Sequence, residues 1–222
     1  MKRTGDNWPR PLRRWVLHFE ASIEDAVEQF AASLPAGARV LDAGSGEGMY
    51  RHYFKQQRYV GVDLGVGDGA WDYSNLEAVA DLEALPFADD SFDAGINIVT
   101  LEHVRQPAIV LREIARVLKS GAPFLIVVPM EWEVHQAPND YYRYTRYGMA
   151  FLMIQAGFTQ PKVEAVGGFF RLLARRVLGG IQFYPALLWI PFALPGLLLP
   201  LLDSLDREKN FTLGYICSAR KR

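Results

Sequence analysis

The stretch Arg39-Val40-Leu41-Asp42-Ala43-Gly44-Ser45-Gly46-Glu47-Gly48 decides the fold. Its first half is a short apolar run and reads as a buried strand. Its second half alternates glycine with small or acidic residues and leads into Met49-Tyr50-Arg51-His52-Tyr53-Phe54, which the pattern extends as a helix. Glycines at alternate positions let the backbone turn sharply and approach a ligand closely, because no Cβ intervenes. A helix start behind them would offer unpaired N–H groups. Strand, glycine turn and helix in that order receive nucleotide-like molecules at the edge of an open α/β sheet. A glycine run is also an ordinary turn, so the segments that follow must decide between the two.

A second strand, Tyr59-Val60-Gly61-Val62, ends in Asp63, 19 residues beyond Gly44. An acid there can accept both hydroxyls of a ribose from the tip of the neighbouring strand. A third run, Ala78-Val79-Ala80, ends in Asp81-Leu82 and is followed by Glu83-Ala84-Leu85-Pro86-Phe87. With these motifs in this order, the chain resembles the class I S-adenosylmethionine-dependent methyltransferases, in particular the compact small-molecule type. The resemblance runs from about Arg39 to Phe158, over half the chain. Dinucleotide dehydrogenases are the rival, but their fingerprint is G-x-G-x-x-G. This turn reads G-x-G-x-G with Asp42 ahead of it, which favours the methyltransferase.

Outward from that stretch, 222 residues suit one α/β domain with additions. Half of them are hydrophobic and the formal net charge is −1, so no global pull toward nucleic acid is expected. The one cysteine, Cys217, excludes an internal disulfide and fits a reducing compartment; it reads as a small apolar strand residue. Residues 1–14 are basic, with Lys2, Arg3, Arg10, Arg13 and Arg14 among Trp8, Pro9 and Pro11. No apolar run follows, so they do not read as a secretory signal. They read as a disordered arm, or as one that folds over a cofactor or touches anionic lipid. From Trp15, Val16, Phe19, Ile23, Ala26, Val27 and Phe30 recur at helical spacing up to Pro35-Ala36-Gly37, predicting one amphipathic helix.

Downstream, Phe92 to Val99 reads as a fourth strand, Pro107 opens a helix through Leu118, and Ala122 to Val128 is a fifth strand buried on both faces. Thr145 can cap a helix that stops at Gly157. Pro161 to Val166 and Phe211 to Cys217 read as strands six and seven. Strands alternating with helices predict a parallel sheet. The resemblance completes the expected fold: an α/β, Rossmann-like, mostly parallel seven-stranded sheet flanked by helices, with the last strand antiparallel. The division follows as residues 1–36 (arm and helix), 37–167 (core), 168–210 (a hydrophobic insertion between strands six and seven) and 211–222 (last strand).

By the same resemblance, the backbone of Gly44, Ser45, Gly46 and Gly48 lies along the amino-acid moiety of S-adenosylmethionine, with Asp42 near its amine. Asp63, with Leu64 beside it, takes the ribose; Asp81 and the Leu82 N–H take the adenine; Asn97 and Ile98 close the pocket near the methionine. Each carboxylate alone reads equally as a solvated loop charge, but three stand at three successive strand ends. The loop Gly65-Val66-Gly67-Asp68-Gly69 is glycine-rich, and Trp71-Asp72-Tyr73 follows where an adenine-stacking ring could come from.

Methyl transfer needs in-line positioning and, for a weakly acidic hydroxyl, a base. The candidates are His103, after the fourth strand, and His135, in the loop Pro129 to Thr145 that leaves the fifth strand at the active-site edge. That loop offers Trp132, Asp140, Tyr141 and Arg143 as binders of a polar acceptor, or Tyr141, Tyr142 and Tyr144 as staples to the next helix. No metal site is expected.

Val177 to Leu202 is 26 residues without a charge. Length alone suggests a membrane span, but paired flanking strands would put both ends on one side. The stretch is too short for two passes of about 20 residues each, and Pro185, Pro191, Pro195 and Pro200 would break its backbone bonding. It therefore lies on or dips into one leaflet, with Arg171, Arg175, Arg176, Arg207 and Lys209 meeting anionic headgroups, or it packs on the domain or a dimer partner. The expected activity is O-methylation of a small or lipid-linked glycan-type acceptor, in the cytoplasm or peripheral on the inner membrane face. The alternatives are a nitrogen or carbon methyltransferase of a soluble metabolite, and a membrane-docked protein that holds the cofactor without turnover.

Overall fold

The computed structural model describes residues 8–67, 69–183, 185 and 189–222. Lys2 and Arg3 of the expected arm, Asp68 of the glycine-rich loop and Tyr184 of the uncharged stretch lie outside the described residues.

Seven strands form one sheet: β1 Arg39–Ala43, β2 Arg58–Asp63, β3 Ala78–Val79, β4 Ala94–Ile98, β5 Pro123–Pro129, β6 Phe158–Val166 and β7 Gly214–Lys221. Their order is β3-β2-β1-β4-β5-β7-β6. Pairings among the first five are parallel, and β7 runs antiparallel to both β5 and β6. The chain winds one way from β1 to β3 and the other way from β4, so a crevice opens where β1 and β4 leave the sheet.

Helices cover both faces. The structure replaces the single predicted N-terminal helix with α1, Arg10–Val16, and α2, His18–Ser33. They part at Leu17, whose φ of −100° and ψ of 55° are not helical. Arg13 pairs with Glu24 and Arg14 with Asp25, folding α1 back along α2. This part of the expected arm is therefore helical and tied to α2 by ion pairs between residues 11 apart in the chain. Phe19, Ile23 and Val27 of α2 pack on Val40, Ile96 and Val127 on one face of the sheet. On the other face α3, Pro107–Val117, contributes Val110, Leu111 and Ile114, and α4, Arg146–Gln155, contributes Met149 and Met153. Thr145 caps α4, its hydroxyl oxygen accepting the Gly148 N–H at 3.1 Å.

Three boundaries differ from the sequence reading. The helix predicted over Met49–Phe54 is a single 3-10 turn, Arg51–Tyr53. Gly48 holds a φ of +74°, which a right-handed helix cannot include, and Tyr50 and Phe54 bury their rings in the core instead. Strand β6 begins at Phe158, ahead of Pro161, and carries an irregularity between Thr159 and Lys162. Strand β7 begins three residues after Phe211, because Thr212 turns its hydroxyl into the interior to bond the Val166 carbonyl at 2.9 Å.

The insertion folds as α5, Phe169–Gly180, then α6, Trp189–Leu198, and a 3-10 segment Leu199–Leu205. Gly196 lets α6 lie on α5, since a Cβ there would stand 2.7 Å from Leu178 Cγ. The start of α5 is capped from across the insertion: the Asp203 carboxylate accepts the N–H groups of Gly168 and Arg171, and Asp206 accepts that of Phe169. No helix among the described residues is long and apolar enough to cross a membrane.

The expectation that Arg171, Arg175 and Arg176 meet lipid headgroups is corrected. Arg171 lies over the Trp15 ring and 3.6 Å from Asp203. Arg175 lies 3.6 Å from the Trp132 ring centroid and pairs with Glu20 and Glu133, and Arg176 pairs with Glu133. Arg171 and Arg175 share the face of α5 that also buries Leu172 and Ala174, so their charges are answered by the body of the protein.

Candidate active site

The glycine turn is built by contacts with both neighbouring strands. Gly44 and Ser45 donate their N–H groups to the Val62 carbonyl at 2.7 and 3.1 Å. Gly44 has a φ of +83°, and a Cβ on it would fall 2.1 Å from Thr100 Cγ2. Thr100 in turn donates its hydroxyl to the Gly44 carbonyl at 3.0 Å. The exits of β1 and β4 are thereby locked side by side.

Asp63, at the tip of β2, accepts the Gly46 N–H at 2.9 Å and the Gly65 N–H at 2.8 Å. Beyond it, Leu64 is exposed. Residues 65–67 and 69–73 fold over the turn. The Trp71 ring lies against Gly46, 3.2 Å from where a Cβ would be, the Asp72 N–H bonds Glu47 Oε1, and Tyr73 accepts the Gly67 N–H. The ring that the sequence offered for adenine stacking is thus delivered to the glycine turn. Asp81 is exposed at the end of β3, accepting the Glu83 N–H, while the Leu82 side chain is buried. Asn97 is fully buried, its amide donating to the Ala43 carbonyl at 2.7 Å, and Ile98 is buried beside it. Both are packed inside the core at the end of β4.

Asp42 is 1% exposed. Tyr59 donates its hydroxyl to Oδ2, whereas Oδ1 is buried with no partner among the described residues. Burial pushes the carboxyl up to about 7, against the lowering effect of the Tyr59 hydrogen bond. A buried, half-satisfied carboxylate beside a positive-φ glycine turn fits the ammonium group of S-adenosylmethionine, which would supply the missing donor. Ser45 Oγ is likewise buried without a partner.

The second half of the site comes from the loop after β5. The Glu102 carbonyl accepts the N–H of Tyr141 at 2.9 Å, the Tyr144 hydroxyl bonds the Leu101 carbonyl at 2.7 Å, and the Tyr142 hydroxyl bonds the Arg105 carbonyl at 2.9 Å. These bonds lay the loop on the 3-10 turn Leu101–His103 and bring the two candidate histidines together. Their rings stand 4.7 Å apart at 82°. Each Nε2 lies 3.7 Å from Glu102 Oε1. The Glu102 carboxylate raises the pKa of His135 above the ordinary imidazole value. Sequence reasoning passed over Glu102, which is 0% exposed; the available signal was an acid set between apolar Leu101 and a histidine, just past a strand end.

Of the proposed acceptor binders, Asp140 and Arg143 form a two-point ion pair at 2.6 and 2.8 Å, and Asp140 also accepts the His135 N–H. This holds the Asp140 carboxyl far below the usual range. Trp132 lies between Arg175 and Phe19. The three shape the loop that carries His135. Tyr141 keeps an exposed ring, its hydroxyl bonded to Asn139 Oδ1 at 3.0 Å.

Comparison with known proteins agrees with the fold. A methyltransferase domain family matches residues 41–126. A tRNA (carboxymethyluridine(34)-5-O)-methyltransferase of Arabidopsis thaliana is 34% identical over 117 residues, covering 50% of this chain and 28% of that protein. A fatty-acid O-methyltransferase of Mycolicibacterium smegmatis is 36% identical over 100 residues, covering 40% of this chain and 36% of that one. The chain thus spans about a third of the length of these curated relatives. Haemonchus contortus phosphoethanolamine N-methyltransferase 2, solved with S-adenosyl-L-methionine, shares the fold at a TM-score of 0.58 and 19% identity, over 90% of this chain and 52% of that chain.

Proposed function

We propose that the chain, whose residues 41–126 match a methyltransferase domain family, is an S-adenosylmethionine-dependent methyltransferase that methylates an oxygen of a small or lipid-linked, glycan-type acceptor. The observation that carries this reading is the convergence of His103 and His135 on buried Glu102 at the edge where β1 and β4 leave the sheet. An acceptor hydroxyl has to lose its proton during transfer, and this cluster begins two residues after Thr100, which bonds the glycine turn assigned to the cofactor.

S-adenosylmethionine, when bound, supplies a methyl group on a sulfonium that needs no further activation. The chain contributes position and proton handling. Asp42 and the glycine backbone would hold the amino-acid end, Asp63 the ribose and Asp81 the adenine. His135 Nε2 would accept the acceptor's proton, and the Glu102 carboxylate would stabilise the resulting imidazolium. The Asp140–Arg143 pair fixes the loop backbone at His135, so the imidazole is positioned before the acceptor arrives.

A lipid-linked acceptor is favoured by the apolar surface of α6 and the 3-10 segment after it. Ile190 is 77% exposed and Leu201 63%, with Trp189, Leu194 and Leu198 also exposed. An uncharged surface of this kind suits contact with a membrane surface or an acyl chain. The fatty-acid O-methyltransferase relative adds support for an oxygen acceptor with a lipid tail.

The test is incubation of the purified chain with methyl-labelled S-adenosylmethionine and extracted cell-envelope lipids, followed by mass spectrometry. A labelled methyl ether or ester on a lipid-linked product is expected. Label on nitrogen or carbon of a water-soluble metabolite would replace the acceptor class. Cofactor binding without any transfer would favour the non-catalytic alternative.

A further inference from the structure

We propose that Glu102, His103 and His135 form a site for a divalent transition-metal ion of the zinc type, held by three protein ligands. The catalytic meaning of the site rests on the O-methylation reading above; the binding of the ion does not.

The argument begins with the hydrogen atoms. His103 Nδ1 lies 2.6 Å from the Asn139 carbonyl oxygen, and His135 Nδ1 lies 3.1 Å from the Glu133 carbonyl and 3.5 Å from Asp140 Oδ2. Carbonyl and carboxylate oxygens only accept, so Nδ1 carries the hydrogen in each ring. In the neutral imidazoles each Nε2 is then a lone pair, and both lone pairs face the Glu102 carboxylate. Both Nε2 atoms and both Glu102 oxygens are buried with no hydrogen-bond partner among the described residues. Four buried acceptors with no donor among them require a cation.

Spacing separates a proton from a metal ion. A direct N–H···O bond draws its heavy atoms to about 2.7–3.2 Å. Ligand atoms on a tetrahedral ion with bonds of about 2.0–2.1 Å stand roughly 3.3 Å apart. Each Nε2 is 3.7 Å from Glu102 Oε1, too far for the bond and near the ligand spacing. One ligand atom from each of the three residues falls within 4.8 Å of the others. The carbonyl partners on Nδ1 are the outer contacts that orient metal-binding imidazoles. Two imidazoles and one carboxylate favour zinc and its neighbours over magnesium or calcium, which take oxygen ligands.

Three protein ligands leave a position for an acceptor oxygen. With the ion bound, His135 Nε2 is a ligand and no longer the base: the ion would lower the pKa of the acceptor's hydroxyl in its place, and the proton would pass to solvent. That oxygen gains the methyl group as the sulfur–methyl bond breaks, with the bonding pair remaining on sulfur. The sequence hid the site because Glu102 and His103 are adjacent, which no local ligand motif requires, and His135 lies 32 residues further on.

The full chain, stripped with chelator, would be titrated with Zn²⁺ against a chromophoric competitor, and with Co²⁺ to record visible d–d absorption. One ion per chain and a nitrogen/oxygen-ligated cobalt spectrum are expected. His103→Ala and His135→Ala should each weaken Zn²⁺ binding about 100-fold or more, the upper end of losses produced by changes around metal ligands. S-adenosylmethionine calorimetry on the same samples confirms that the variants fold. His52→Ala, altering an exposed histidine on another element, should leave Zn²⁺ affinity unchanged. A parent chain that binds the cofactor yet takes up no Zn²⁺ or Co²⁺ overturns the site, as does Zn²⁺ affinity unmoved in both histidine variants. Zinc uptake without methyl transfer would defeat the O-methylation reading and leave the site standing. Undiminished transfer by a chain that takes up no zinc would do the reverse.

Discussion

The carboxylate of Asp63, at the tip of β2, accepts the backbone N–H of Gly46 at 2.9 Å. The acid assigned to the ribose therefore also tethers the glycine turn assigned to the rest of the cofactor. Removing it should act twice, once on a ligand contact and once on the shape of the cradle.

Asp63→Ala is expected to weaken S-adenosylmethionine binding by about 1.5–3 kcal/mol, the range for a hydrogen bond to a charged group. Isothermal titration calorimetry measures this directly. An affinity within twofold of the parent would remove Asp63 from the site.

Asp42 sets a pH dependence. Burial raises its folded pKa to about 7, above the ordinary value of 3.8. Below about 4 both folded and unfolded chains hold the proton, and the group costs nothing. As pH rises from about 4 to about 7 only the unfolded chain releases it, so stability falls over that window and levels off above it. Asp42→Asn should flatten the fall, as followed by urea denaturation at stepped pH. A cationic amine favours the ionised carboxylate, so cofactor affinity should rise with pH through about 7 in the parent and lose that rise in Asp42→Asn. A parent affinity that is flat with pH would contradict the placement of the amine at Asp42.

Catalysis should depend on the cluster as a unit. His135→Ala is expected to lower turnover about 10²-fold or more, with cofactor affinity nearly unchanged. Glu102→Gln should fall in the same range, because Glu102 faces both imidazoles. Single-turnover methyl transfer checks both variants. Full activity in His135→Ala with loss in His103→Ala would transfer the role to His103.

Membrane contact, if the insertion makes it, should be apolar in character. Changing Ile190, Leu194 and Leu201 together to Ser removes side chains that would each gain about 1.5–3 kcal/mol on full burial. Flotation with neutral and with anionic vesicles should fall alike. Replacing Arg171, Arg175 and Arg176 should lower the melting temperature instead, since these side chains are paired with Asp203, Glu20 and Glu133. A parent chain that never floats would assign the apolar face to a protein partner.

The sequence by itself determined the sheet and one side of its site. Apolar runs punctuated by glycine and proline are local signals, and they located β1 to β5, α3 and α4 within a few residues. Asp42, Asp63 and Asp81 could be nominated because each sits at or near the end of such a run. Only the tertiary structure decided which charges answer each other across the fold. Asp203 caps α5 from 35 residues away, Arg175 turns inward to Glu20 and Trp132, and His135 reaches Glu102 because three tyrosines lay its loop on the 3-10 turn at Leu101. The predicted helix after Gly48 is reduced to the 3-10 turn Arg51–Tyr53, with Tyr50 and Phe54 buried on either side of it. Periodicity records which face of an element is apolar. It carries no record of which distant residue meets that face, and the Glu102 cluster is made of such meetings.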